Sequence, residues 1–161
     1  MAQDIFLKID GIEGESTDAK HAKEIDLLEW SFGVSQTGTF SGGGGGGAGK
    51  ANFQDFRFVH RIDKASPKLM LACASGEHIK SAVLLVRKAG KEQQEYLKIT
   101  FSDLLVSSVQ DGGAGGSGEL PNESVSINFA KVEIEYRPQK GDGTLDAAIK
   151  TGWDLKKNVK V

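Results

Sequence analysis

The sequence predicts a mainly β protein, an antiparallel β-barrel of two sheets with one short α-helix packed on it. Three observations carry this expectation. Apolar residues alternate with polar ones in four separate stretches, which is the period of a half-buried strand. Within the stretch from Val125 to Arg137 the apolar phase slips by one residue, as it does where a long strand turns a barrel corner. Only one segment, Ser66 to Gly76, carries the punctuation of a helix.

In chain order, Ile5, Leu7 and Ile9 share a strand face, and Trp30, Phe32 and Val34 share another. A run of six glycines, Gly42 to Gly47, then precedes Ala48, Gly49 and Lys50. After it Phe56, Phe58 and Ile62 resume the alternation, with His60 in the same register as a core-edge or interface residue. The helix is expected to have Ser66 as N-cap, Pro67 at the first helical position, Leu69, Met70 and Cys73 on one side and Gly76 as terminator. It is too short to stand alone, so it must pack on the sheet.

Val83 to Val86 and Leu104 to Val109 are denser apolar runs, with Leu97, Ile99 and Phe101 alternating between them. Val125, Ile127 and Phe129 give way to Val132, Ile134 and Tyr136, which places a bulge or corner near Ala130 and Lys131. Trp153, Leu155, Val159 and Val161 predict a last strand tied back into the sheet. The segments Gly112 to Gly118 and Gln139 to Gly152 read as loops or hairpins.

The 161 residues suit one domain with a radius of gyration of roughly 15 Å. A net charge of −2 with interspersed signs gives no basic stripe for nucleic acid, and no apolar stretch is long enough for membrane insertion. The first residues lack a secretory signal, and the single cysteine, Cys73, rules out an intrachain disulfide and suits synthesis in the cytoplasm. His21, His60 and His78 follow no ligand spacing, no Gly-x-Ser-x-Gly elbow occurs, and no carboxylates are forced together. No catalytic residue, metal site or cofactor is therefore expected.

Gly44 to Lys50 matches most of a phosphate loop, but the next residue is Ala51 where a metal-ligating hydroxyl is required, and a strand pattern follows where a helix should begin. The segment reads instead as a long arm. Holding its eight residues from Gly42 to Gly49 in place would cost on the order of 10 kcal/mol, which only a sizeable interface offsets. Gly42, Gly43, Gly44, Gly45, Gly46, Gly47, Gly49 and Lys50 are thus candidate contacts to a neighbouring subunit, the alternative being a hairpin tip with no partner. Opposite the inward face of the Trp30 strand stand Ser31, Gly33 and Ser35, a small and uncharged row that reads equally as an edge-facing serine row or as a smooth wall that meets varied partners loosely.

Five blocks in order resemble the haemolysin-coregulated protein (Hcp) family, the inner-tube subunit of the type VI secretion system. They are Ile5–Ile9 with Gly14–Ser16, Glu29–Gly33, Gly45–Lys50 with Gln54 and Asp55, Asp63–Pro67 through Ser75 and Gly76, and Asn128–Ala130 with Tyr136–Gln139; Gly152–Leu155 fits as well. The resemblance implies a single barrel domain over residues 1–161 and a homohexameric ring that stacks into a tube. It also implies a contractile sheath, spike and baseplate proteins as partners, effectors in the channel, no enzymatic activity, and secretion without a cleavable signal. The rival expectation is a monomeric β-barrel that binds a small ligand.

Overall fold

The structure is a computed structural model that describes residues 2–38, 49–88, 92–116 and 118–161. It is mainly β and antiparallel, with one short helix. The strands are β1 (Gln3–Ile9), β2 (Ile25–Asp26), β3 (Glu29–Ser31), β4 (Val34–Ser35), β5 (Asn52–Phe53), β6 (Phe56–Arg61), β7 (Ile79–Lys88), β8 (Glu95–Gly112), β9 (Asn122–Tyr136), β10 (Ile149–Asp154) and β11 (Val159–Lys160). Helix α1 (Ser66–Ser75) lies between β6 and β7.

The two long strands organise everything else. β8 and β9 pair along their length, and the other edge of β9 is divided: Lys131–Tyr136 take β10, whereas Asn122–Ile127 take β6, which in turn pairs β3. The ladder therefore runs β11-β10-β9-β8-β7-β1-β2 with a branch through β6 and β3. Among the described residues it does not close into a ring; β2 and β11 end the main path and β3 ends the branch. The two halves meet at Phe56, Phe58 and Phe101, all fully buried, with the Phe56 and Phe101 rings 4.6 Å apart.

The expected phase slip lies near Ala130 and Lys131 and takes the form of a corner without a bulge. In β9 the buried series Val125, Ile127, Phe129 passes to Val132; in β8, Ile99 and Phe101 pass to Leu104 and Val106; in β7, Ile79 passes to Ala82 and Leu84. All three strands change face at one level, so the pairings Phe101 with Val132 and Leu104 with Phe129 keep a common register and no extra residue is needed. Asp103, at φ 52°, makes the turn in β8. The register shift of this pair falls at Val106/Ser108, and Ser107 Oγ donates to Asp55 Oδ2 at 2.6 Å.

Two local expectations are corrected. Val34 does not share a buried face with Trp30 and Phe32: the strand breaks at Phe32–Gly33, β4 pairs β5 among the described residues, and Val34 is 54% exposed. Phe32 and Phe53 anchor it instead, 6.0 and 6.4 Å from Phe129. In α1 the N-cap is Ala65, not Ser66; Ser66 begins the helix and its Oγ accepts the Asp63 N–H, while Asp63 Oδ1 accepts the Ala65 N–H at 2.8 Å. Asp63 thus orders the lead-in to the helix. Leu69 and Ala72 are buried and Cys73 half-buried, but Met70, one step round the helix from Leu69, is exposed. Gly76 ends the helix at φ 65°, as its composition predicts.

Candidate functional site

Ser31 sits in β3 opposite Arg57 of β6, exposed, between half-buried Trp30 and Phe32. Ser35 is exposed in β4 opposite Asn52. Gly33 occupies the break between these strands, where an added Cβ would come 2.9 Å from Gln54 Oε1. The three residues are therefore neighbours along an interrupted edge and do not form one continuous strand face. The surface round Ser31 also carries charge, since Arg57 reaches Glu29 at 3.3 Å.

The run Gly42 to Gly47 lies outside the described residues. Gly49 and Lys50 follow it, both exposed, and β5 begins two residues after Lys50. A strand thus stands where a phosphate loop would open a helix. Lys50 borders a shallow groove with His78, Asp103, Leu155 and Lys156.

The three histidines serve separate places. His60, expected at a core edge, is fully buried, and its Nε2 lies 2.8 Å from Oε1 of Glu123, itself buried on the facing strand. Burial disfavours the charged imidazole, but Asp63 and Glu123 outweigh it, so the pKa of His60 is raised. His78 is exposed beside Asp103 at 3.6 Å. His21 lies between Glu24 (3.0 Å) and Glu95 (2.8 Å) and stacks on Phe6 at 4.5 Å.

Arg87 covers the same Phe6 ring at 4.8 Å, hydrogen-bonds Asp4 and Asp18, and is only 3% exposed. Its hydrogen bond holds Asp18 down to a pKa of about 2. This cluster straps the segment between β1 and β2 onto the sheet. Sequence reading did not find it, because Asp18 and Asp4 are 69 and 83 positions from Arg87 and no spacing rule joins them.

Residues 6–136 match the family described as "Type VI secretion system effector, Hcp". The chain belongs to the Hcp family. It is 53% identical to Protein hcp1 of Pseudomonas aeruginosa across 99% of both chains. Among solved structures it is similar to Hcp1 from Salmonella typhimurium, with a TM-score of 0.83 and 42% identity over the whole of both chains. It is also similar to a type six secretion system protein, with a TM-score of 0.94 and 32% identity over 99% of this chain and 100% of the other. Hcp membership covers β1 to β9 and α1, and the Pseudomonas relative extends the match through β10 and β11.

Proposed function

We propose that the protein is a structural subunit of the type VI secretion tube, a homohexameric ring that stacks on further rings and carries effectors in its channel. The observation that supports it most is the end-to-end match to Hcp proteins. The physical form agrees with assembly. The ladder is open at both ends, and Leu28, Ile149, Val159 and Val161 are each close to half exposed or more near those ends, a surface that association would cover.

Ser31, Gly33 and Ser35 are assigned to the channel wall, and Gly42 to Lys50 to contact between subunits or rings. Sheath, spike and baseplate proteins are the further partners; the subunit is made in the cytoplasm and leaves with the tube. No catalytic step is assigned. The rival role as a ligand-binding barrel loses support from the interior, where Phe32, Phe56, Phe101 and Phe129 pack ring against ring at centroid distances between 4.6 and 6.0 Å. Native mass spectrometry tests the proposal: six-fold multiples of 17.2 kDa are expected, and a species that stays monomeric at high concentration would refute it.

A further inference from the structure

Residues 10–24, between β1 and β2, form a strap whose backbone bonds largely to itself. Gly14 and Ser16 donate to the carbonyls of Lys23 and Glu24, Lys23 donates back to Ser16, and Glu24 donates to His21. Among the described residues, side chains fasten the strap to the body at Lys64, which Glu13 and Glu15 reach, at Arg87, which holds Asp18, and at Glu95 on the first position of β8, which meets His21.

The last of these contacts constrains the ionic form of the ring. His21 is buried, with Glu24 Oε2 3.0 Å from Nδ1 and Glu95 Oε1 2.8 Å from Nε2. A neutral imidazole has one N–H and one lone pair, and a carboxylate only accepts, so a neutral ring satisfies one glutamate and turns a lone pair on the other. Both contacts together require the imidazolium. Burial opposes that charge, but the hydrogen bonds to Glu95 and Glu24 outweigh it and raise the pKa of His21. The surrounding charges act in the same sense. Arg87, over the same Phe6 ring, is taken by Asp4 and Asp18, Asp26 stands opposite Phe6 on β2, and Lys20, Lys98 and Arg137 border the groove beyond Glu95. Asp4, Asp18, Glu24 and Glu95 thus contact two cations, Arg87 and His21, and loss of the His21 proton removes one of the two charges that hold them together.

We propose that His21 is a proton-operated latch, which clips the strap to β8 when charged and, when neutral, keeps Glu24 and releases Glu95. Glu24 lies three residues along the same strap and moves with the ring, whereas the Glu95 side chain is 38% exposed and has Lys20 and Lys98 at the same groove to turn to. Arg87 still holds Asp18, and Ile25 stays paired with Leu7, so the stretch 19–24 between those anchors is what opens. Opening lifts the imidazole off the Phe6 ring, which is buried while the latch is shut. Because the closed ring has the higher pKa, closure is complete below the open value of 6.5 and is lost as pH rises through the closed one.

Hydrogen–deuterium exchange of the protein as isolated, read by mass spectrometry from about pH 6 to about pH 9 with labelling times scaled for intrinsic exchange, tests the latch. The segment 10–26 should lose protection relative to segment 97–106 of β8, by up to about tenfold per pH unit while one proton is released. A global loss of stability through His60 would raise exchange in both segments. Glu95→Gln separates the contact from its charge, because an amide accepts from an imidazolium and donates to a neutral ring. In that chain the strap should stay protected across the whole range, and in Glu95→Ala it should be open throughout. A wild-type strap whose relative protection is flat with pH, or already absent at the acid end, would overturn the latch. So would a Glu95→Gln strap that opens with pH as the wild type does or at every pH, or a Glu95→Ala strap as protected as the wild type.

Discussion

Replacing Glu123 by Ala gives the sharpest stability test. His60 and Glu123 face each other across β6 and β9 at 2.8 Å, and neither exceeds 1% exposure. Removing one partner leaves the imidazole buried without its carboxylate, a change that costs about 3–5 kcal/mol. For a chain of this length that lowers Tm by about 6–20 °C, at about 2–4 °C per kcal/mol. Replacing both residues by Leu should cost far less, because no orphaned charge remains. The folded pair holds a proton more tightly than the unfolded chain, as the raised pKa of His60 requires. Its contribution is complete below the unfolded value of 6.5 and is lost as pH rises through the folded one, so stability should decline on the alkaline side, and Glu123→Ala should flatten that decline. Urea melts across pH measure both effects. A Glu123→Ala loss below about 1 kcal/mol would refute the argument that the pair's burial is what makes it costly to break.

Asp18 should titrate by NMR near pH 2 and return toward 3.8 in Arg87→Leu; because its folded pKa is lowered, the linked stability is present above 3.8 and lost as pH falls toward 2. Ser31→Gln should leave the melt unchanged, since Ser31 is exposed, and reduce co-purification of at least some effectors; a sharp fall in Tm would show the residue to be packed. Deleting four glycines from Gly42 to Gly47 should preserve the circular dichroism spectrum and impair tube formation under electron microscopy, and normal tubes would reduce the segment to a passive connection.

Period-two alternation located the long strands and the corner because burial on one face leaves a direct imprint on residue order, as at Ile99 and Phe101 or Val125 and Ile127. The same rule failed at Val34, since alternation says which residues share a side but not whether a layer covers it. Met70 failed similarly: an apolar residue on a ten-residue helix need not face the sheet. The slip in β9 was legible, but its counterparts at Asp103 and Lys80–Ser81 were not, because a register is a relation between strands. His21 meets Glu95 from 74 positions away, and Arg87 meets Asp18 from 69 away; only the fold makes them neighbours.

The shared change of face in β7, β8 and β9 has a mechanical side. A plain antiparallel pair can slide by two residues and still turn the same side chains inward. Here such a slide would carry Asp103 away from the level of Ala130 and point Leu104 or Val132 at solvent on one half while driving a lysine or aspartate into the other. Three strands would have to move together to avoid it. The bend therefore acts as a key in a keyway, letting the sheet flex about the corner while blocking travel along the strands.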